Sequence, residues 1–255
     1  MLKIAACLYD RCTRTLEEAG LSSWREELLS TLHGEVLEIG AGTGHNVSLY
    51  PKSVTSIVLS EPDRNMRSVL LSSLASSNRA LVGEENSGAD SQFSSSPQSS
   101  LGPQFSSSPQ LSESPQTSLG PQFSSSPQIR VIDAAAEHLP FPDESFDAVV
   151  GTLVLCSVQN LNTSLKEIFR VLRPGGSYAF IEHVGAFDRP ARLRWQRRIE
   201  PFWRKLAGNC HLTRSTGEAI GAAGFEIDSM EYASMHRAPA LVRLSIRGIA
   251  RRPGV

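Results

Sequence analysis

The stretch that decides the fold is Val36–Asn46, which reads VLEIGAGTGHN. A short apolar segment leads into three glycines at alternate positions, Gly40, Gly42 and Gly44, and we predict a helix over 43–50. Glycine permits a tight turn and lets a ligand approach the main chain closely. A helix that begins at such a turn directs its first N–H groups at an anion. The pattern therefore predicts a nucleotide-type ligand at the end of the first strand.

Outside this stretch, short apolar segments alternate with helical ones. We predict strands at 35–39, 54–59, 129–132, 146–151, 177–181, 225–230 and 241–246, and further helices at 13–32, 63–76, 164–172 and 190–206. This alternation is typical of an α/β fold, a mostly parallel sheet covered on both faces. We predict an N-terminal helical segment, 1–33, followed by a single domain, 34–255.

One long segment interrupts the domain. Residues 83–128 are rich in Ser, Pro, Gln and Gly, and SLGPQFSSSPQ occurs at 100–110 and again at 118–128. Such a composition cannot bury enough apolar surface to offset the entropy of ordering the chain. We predict a disordered insertion in a surface loop, which a fold tolerates at low cost.

The composition excludes several classes of protein. The formal net charge of -1 over 255 residues gives no general attraction for nucleic acid or anionic membranes. No segment approaches the roughly 18 apolar residues of a membrane span, and the first residues do not resemble a signal peptide. Four cysteines show neither a C-x-x-C pair nor a histidine at zinc spacing. We expect reduced thiols, no metal, and an intracellular, cytoplasmic location, with peripheral membrane association as the alternative.

The spacing of the glycines and acids narrows the ligand. The dinucleotide fingerprint G-x-G-x-x-G requires glycine where this chain has His45, which disfavours an NAD-linked oxidoreductase. Glu38 precedes the first glycine, and Glu61 ends the second strand, where a carboxylate can accept both hydroxyls of a ribose. An acid that caps the next helix is the alternative for Glu61. Asp133 follows the third strand.

These motifs, together with FPDESFDAVVGTLVLCSV at 141–158 and VLRPGGSYAFIEHV at 171–184, resemble the class I S-adenosylmethionine-dependent methyltransferases with a type 11 methyltransferase domain. The resemblance implies a Rossmann-like sheet of seven mostly parallel strands, the last antiparallel, and S-adenosylmethionine as the cofactor. It implies cofactor contacts at Glu38, Gly40, Ala41, Gly42, Gly44, Glu61, Pro62, Asp133, Ala134 and Thr152.

The second half of the chain resembles one subfamily. GTLVLCSV, the tryptophans Trp195 and Trp203, and GNCHLTR at 208–214 are similar to the group that includes the membrane-anchored alkyl-thiol methyltransferases of mammals. The resemblance implies methyl transfer to a small molecule, an alkyl thiol. The anchored members carry a long apolar N-terminal helix that finds no match here, so the resemblance gives no membrane address.

Few residues are candidates for the acceptor side. A thiol acceptor must lose its proton, because the thiolate is the nucleophile. We predict His183 as the base, with a histidine satisfied at a strand end as the alternative. Tyr9, Asn209 and His211 are predicted to contact the substrate. Cys156 lies in an apolar setting and is predicted to be a buried core residue.

Two other acceptors remain open. Related enzymes with a similar core methylate phospholipid or other small amines. RNA is the less favoured acceptor: the basic, tryptophan-containing stretch 188–205 could bind it. However, GTLVLCSV replaces the Asn/Asp-Pro-Pro-Tyr/Phe element of the nucleic-acid amino methyltransferases. The same stretch could instead make weak contact with a membrane surface.

Overall fold

A computed structural model describes residues 13–77, 81–85 and 127–254, with the backbone alone for 81–85. Its centre is an eight-stranded sheet in the order β3-β4-β2-β1-β5-β6-β8-β7. Strand β8 runs antiparallel to both of its neighbours, and the other strands run parallel to one another. The strands are β1 Gly34–Ile39, β2 Val54–Ser60, β3 Leu81–Glu85, β4 Gln128–Ile132, β5 Phe146–Thr152, β6 Leu172–His183, β7 Glu226–Ser234 and β8 Leu244–Arg251.

This architecture confirms the predicted Rossmann-like fold. All seven predicted strands are present, and the last one in the chain is antiparallel. The sheet has one further strand, β3, which pairs with β4 at the edge and overlaps the start of the predicted insertion. Its sequence, LVGEE, has too little apolar patterning to predict a strand. The rest of the insertion, apart from residues 127 and 128, lies outside the described residues.

Between residue 22 and residue 254, the described part of the chain contains five α-helices: α1 Ser22–Leu29, α2 Arg64–Ser76, α3 Leu161–Val171, α4 Pro190–Leu206 and α5 Thr216–Ala222. A π-helical turn, Glu17–Leu21, precedes α1 within the predicted N-terminal helix. The helix predicted over 43–50 was wrong: these residues form turns. Gly44 adopts a φ of 93°, which a right-handed helix cannot contain, and Pro51 disfavours helical backbone at the preceding residue.

The sheet is buried on both faces, as its apolar strands predict. Leu37 and Phe180 belong to the core beneath α3 and α5. Val36 and Ile181, which are adjacent to them in the chain, belong to the opposite core beneath α1 and α2. This alternation follows from the two-residue period of a strand. It leaves the carboxyl ends of the parallel strands as the open edge of the sheet.

Helix α4 contributes only one buried side chain, that of Gln196. This amide accepts a hydrogen bond from Ala186 N at 2.8 Å and donates one to Leu241 O at 2.8 Å. Three large apolar residues of the helix face solvent, with exposed fractions of 59% at Trp195, 71% at Phe202 and 81% at Leu206. None of the described helices combines the length and the apolar character needed to cross a bilayer.

The antiparallel edge depends on one glycine. A Cβ atom at Gly248 would lie 2.0 Å from Ser229 O on β7. We expect Gly248→Ala to lower the free energy of unfolding by about 1–3 kcal/mol, because β7 must shift to relieve the overlap. Urea denaturation measures the change. Gly221→Ala in α5 is the matched control, since its Cβ meets nothing within 4 Å. Equal stability of the two variants would contradict this packing.

Candidate active site

A cavity of about 370 Å³ opens at the carboxyl ends of the parallel strands. Ligands of open α/β sheets bind at this edge. Five of the residues predicted to bind the cofactor line the cavity, namely Gly40, Gly42, Glu61, Pro62 and Thr152. The other lining residues are Asp63, Met66, Ala135, Ala136, Glu137, Leu153, Val154, Ser157, Val158, Gln159, Ala207 and Gly208. The residues predicted from the sequence therefore lie on one side of this cavity.

The glycine loop needs its glycines for steric reasons. Gly40 has a φ of 57°, and a Cβ atom there would lie 2.3 Å from Val154 Cγ2. A Cβ at Gly44 would lie 2.6 Å from Leu70 Cδ1. Ala41 is buried, and its N–H donates to Ser60 O at 3.0 Å. Gly44 and Ala41 thus shape the loop from behind, whereas Gly40 and Gly42 present backbone to the cavity.

Glu61 is held in the cavity wall by backbone N–H groups. Its Oε2 accepts from Gly42 N at 2.8 Å and its Oε1 from Asp63 N at 2.8 Å. Burial raises the pKa of Glu61. The helix-cap alternative belongs to Asp63 instead, which accepts from Asn65 N and Met66 N at the start of α2. Glu61 is therefore available as an acceptor toward a ligand.

Glu38 is the centre of a buried polar network beside the glycine loop. Its carboxylate accepts from Asn46 Nδ2 at 3.0 Å and from Tyr50 OH at 2.7 Å. Arg25 of α1 donates to Asn46 Oδ1 at 2.8 Å and to Thr152 Oγ1 at 2.6 Å. Burial raises the pKa of Glu38 to about 7. The network joins the N-terminal helix to the loop, and the cofactor contact of Glu38 stays a prediction.

Asp133 and Ala134 follow β4 but are not among the lining residues. Asp133 Oδ2 accepts from Arg67 Nη2 at 2.7 Å, and Arg67 Nη1 donates to Glu61 O at 2.6 Å. The next three residues, 135–137, line the cavity. The predicted contact of Asp133 and Ala134 with the cofactor stays a prediction.

The far wall of the cavity is the loop after β5, and Glu182 fixes its position. The Glu182 carboxylate is fully buried and accepts from Val154 N at 3.0 Å, Leu155 N at 2.8 Å and Cys156 N at 3.2 Å. Burial raises its pKa to about 7. Five residues of this loop line the cavity and carry no charge, namely Leu153, Val154, Ser157, Val158 and Gln159.

His183 lies behind this wall, in contact with two cysteines. Its Nε2 is 2.7 Å from Cys210 Sγ, and Trp203 Nε1 donates to the same sulfur at 3.3 Å. Cys156 is free and 2% exposed, which confirms the predicted buried cysteine. The hydrogen bond between the thiols lowers the pKa of Cys210 and raises that of Cys156. His183 is not among the lining residues, and its role as a base stays a prediction.

The predicted substrate residues Asn209 and His211 join the segment after α4 to the loop after β5. Asn209 Nδ2 donates to Ser157 O at 2.9 Å, and Asn209 borders a neighbouring open cavity with Ser157, Gln159 and Arg204. The His211 N–H donates to Cys156 O at 2.8 Å. Burial lowers the pKa of His211. Their contact with substrate stays a prediction, and Tyr9 lies outside the described residues.

Sequence reasoning missed much of the cavity wall. Residues 135–137 and 157–159 follow the carboxyl ends of β4 and β5. Ligands of parallel sheets bind at these strand ends, so the reasoning that predicted Glu61 could have been applied to these residues too. Ala207 and Gly208 follow α4 and carry no comparable signal. The cluster of Cys156, His183 and Cys210 was also missed, because its members come from three separate elements.

The raised pKa of Glu38 predicts how stability depends on pH. The folded chain favours the protonated acid, so stability present below pH 4.5 is lost as the pH rises through about 7. Between pH 5 and pH 8, we expect Glu38→Gln to lose less free energy of unfolding than the wild type, by on the order of 2 kcal/mol. Urea denaturation at both pH values measures this difference. The exposed control Glu226→Gln should lose as much free energy of unfolding between the two pH values as the wild type does. An equally large loss in Glu38→Gln would contradict the burial of this carboxyl group.

Comparison with known proteins identifies the class of enzyme. Residues 107–180 match the family model described as a methyltransferase domain. Human thiol S-methyltransferase TMT1A is 32% identical over 241 residues, which cover 90% of this chain and 79% of the relative. Human TMT1B, also a thiol S-methyltransferase, is 30% identical over 83% of this chain and 71% of its own length.

Solved structures agree with the fold. The YcgJ protein of Bacillus subtilis has a TM-score of 0.60 at 14% identity, covering 92% of this chain and 99% of its own. A geranyl diphosphate methyltransferase solved with S-adenosylmethionine has a TM-score of 0.58 at 10% identity, covering 92% of this chain and 85% of its own. At these identities the likeness shows the fold alone.

The cavity fits S-adenosylmethionine, the cofactor of this class. Glu61 presents a carboxylate to the cavity from the end of β2, where it can accept from ribose hydroxyls. The left-handed Gly40 leaves the loop backbone free of the Cβ atom that would collide with Val154. Together with the 32% sequence identity to TMT1A, these features show that the chain is an S-adenosylmethionine-dependent methyltransferase. It belongs to the family of the thiol S-methyltransferases TMT1A and TMT1B.

Proposed function

We propose that the methyl acceptor is a small alkyl thiol. The observation that carries this proposal is the part of the cavity lining formed by 153–154, 157–159 and 207–208, where no residue is charged. The neighbouring lining residue Glu137 accepts from Gln159 N at 2.6 Å, so its carboxylate is engaged by the backbone of this wall. A wall without charged side chains favours an apolar acceptor over a phosphate or an ammonium group. Removing such a charged group from water costs free energy, and this wall offers no opposite charge to offset that cost. The thiol S-methyltransferase activity named for the relatives TMT1A and TMT1B supports the same acceptor.

Alignment and exclusion of water are the main tasks of the protein in this reaction. S-adenosylmethionine supplies an electrophilic methyl group on a sulfonium when it is bound. Glu61 and the glycine loop would hold this cofactor, and Val154 and Val158 give the cavity wall after β5 an apolar surface. Transfer of the methyl group from a cationic sulfonium to a thiolate would disperse charge, so a dry site that aligns the two groups would favour it. Both products are neutral.

Helix α4 supports a proposal about where the enzyme acts. Trp195, Phe202 and Leu206 are exposed on a helix that also carries several arginines. Basic helices with exposed aromatic residues bind the interfacial region of membranes. We propose weak, peripheral contact between α4 and a membrane surface inside the cell. Such contact would bring apolar thiols dissolved in the membrane close to the cavity. It would also bring lipid amines close, and these are the second candidate acceptor.

The acceptor is tested directly with labelled S-adenosylmethionine. Purified protein is given an alkyl thiol, vesicles containing phosphatidylethanolamine, or RNA in separate reactions. We expect label on the thiol and none on the lipid amine or on RNA, because the acceptor wall carries no charge. Label on the lipid alone would replace the thiol with an amine acceptor. Label on RNA alone would overturn both proposals.

Cofactor binding is tested with Glu61→Ala. The substitution removes the carboxylate that directly follows β2 and lines the cavity. Charge-assisted hydrogen bonds contribute about 1.5–3 kcal/mol each, so we expect affinity for S-adenosylmethionine to fall at least about 10-fold. Isothermal titration calorimetry measures this change. The exposed Glu226→Ala control should bind as the wild type does, and unchanged affinity in Glu61→Ala would exclude the ribose role.

A further inference from the structure

The geometry points to a binding site for a thiophilic divalent cation, Zn²⁺, formed by Cys156, His183 and Cys210. Each residue offers one ligand atom, and these three atoms lie within 4.8 Å of one another. A tetrahedral zinc ion holds thiolate and imidazole ligands roughly 3.5–3.8 Å apart, given its bond lengths. Small side-chain rotations would therefore bring the three atoms to the distances that zinc requires.

The chemistry of the donors selects the cation. Two thiolates and one imidazole are ligands of zinc, whereas magnesium and calcium prefer oxygen. Two thiolates also neutralise the divalent charge, which matters in a buried site. The residues are 2%, 4% and 7% exposed at Cys156, His183 and Cys210. On binding, each thiol that is protonated releases its proton to solvent as its sulfur bonds to zinc.

Neighbouring groups already hold two of the ligands in place. Glu182 binds Cys156 N, and His211 N donates to Cys156 O, so both backbone polar groups of this residue are fixed. Trp203 Nε1 donates to Cys210 Sγ at 3.3 Å. Hydrogen bonds of this kind orient metal ligands in proteins.

His183 gives a further reason for a cation. Its Nε2 contacts Cys210 Sγ, while its Nδ1 is buried and finds no hydrogen-bond partner among the described residues. A buried ring nitrogen without a partner costs free energy. Coordination of the cation through Nδ1 would give this nitrogen the partner that it lacks, while Nε2 stays beside Cys210 Sγ.

Three protein ligands leave one tetrahedral position for water or another small ligand. The cluster lies next to the cavity wall, because Ser157 adjoins Cys156 and Gly208 lies two residues before Cys210. The ion would therefore tie the end of β6, the loop after β5 and the segment after α4 together behind this wall.

Metal titration of the full-length protein tests the site. Protein that has been reduced and treated with a chelator is titrated with Zn²⁺, with Mg²⁺, and with Co²⁺ as an optical probe. We expect one Zn²⁺ per chain, no binding of Mg²⁺ at the same concentrations, and a thiolate-to-cobalt charge-transfer band. Cys210→Ser and Cys156→Ser should each lower the affinity for Zn²⁺ at least about 10-fold.

Two variants separate loss of a ligand from loss of the fold. His183→Cys keeps three zinc ligands and should retain the ion, whereas His183→Ala should not. Cys12→Ser removes a thiol that is not one of the three proposed ligands, and this variant should bind Zn²⁺ like the wild type. The assignment would be overturned if the wild-type protein bound no Zn²⁺, or if Cys210→Ser bound it equally well. It would also be overturned if the two cysteines formed a Cys156–Cys210 disulfide and bound no Zn²⁺ after reduction. Zinc binding is measured without methyl transfer, so the result is independent of the acceptor.

Discussion

The buried carboxylate of Glu182 is the interaction on which the acceptor side of the enzyme depends. It lies at the end of β6 and accepts three consecutive backbone N–H groups, from Val154 to Cys156. A loop that turns away from a sheet leaves such donors without partners, and an unpaired buried donor is costly. One side chain therefore satisfies the loop that forms the cavity wall and also fixes Cys156. Removal of this carboxylate would leave the backbone N–H groups of the loop and of Cys156 without their hydrogen-bond acceptor.

A second buried carboxylate, Glu38, does the same for the cofactor side. It joins Asn46 and Tyr50, and through Asn46 it reaches Arg25 of α1. Arg25 also pairs with Glu17 at 3.1 Å, so its buried charge is compensated. The N-terminal helix is therefore part of the site's support, although it contributes no residue to the cavity lining among those described. Hydrogen bonds therefore join this helix to the glycine loop that lines the cavity.

The sequence could predict the features that depend on local pattern. Strand β1 and the position of Glu61 at the end of β2, in the cavity lining, agree with the prediction because apolar runs and strand ends have a fixed meaning in a parallel sheet. The helix over 43–50 was wrong because Gly44 takes a left-handed conformation, which residue type alone permits but does not require. The contact of His183 with Cys210 could not be predicted, since it joins residues 27 positions apart on different elements.

Helix α4 connects the outer surface of the protein to the acceptor wall. Its exposed residue Leu206 is followed directly by Ala207 and Gly208, which line the cavity. Asn209 and Arg214 then hold this segment to the loop after β5, through bonds to Ser157 O and Val158 O. Any partner that binds the apolar surface of α4 therefore lies beside the mouth of the cavity. Because the linking segment is short and is hydrogen-bonded to the loop after β5, displacement of the helix would be transmitted to this wall of the cavity.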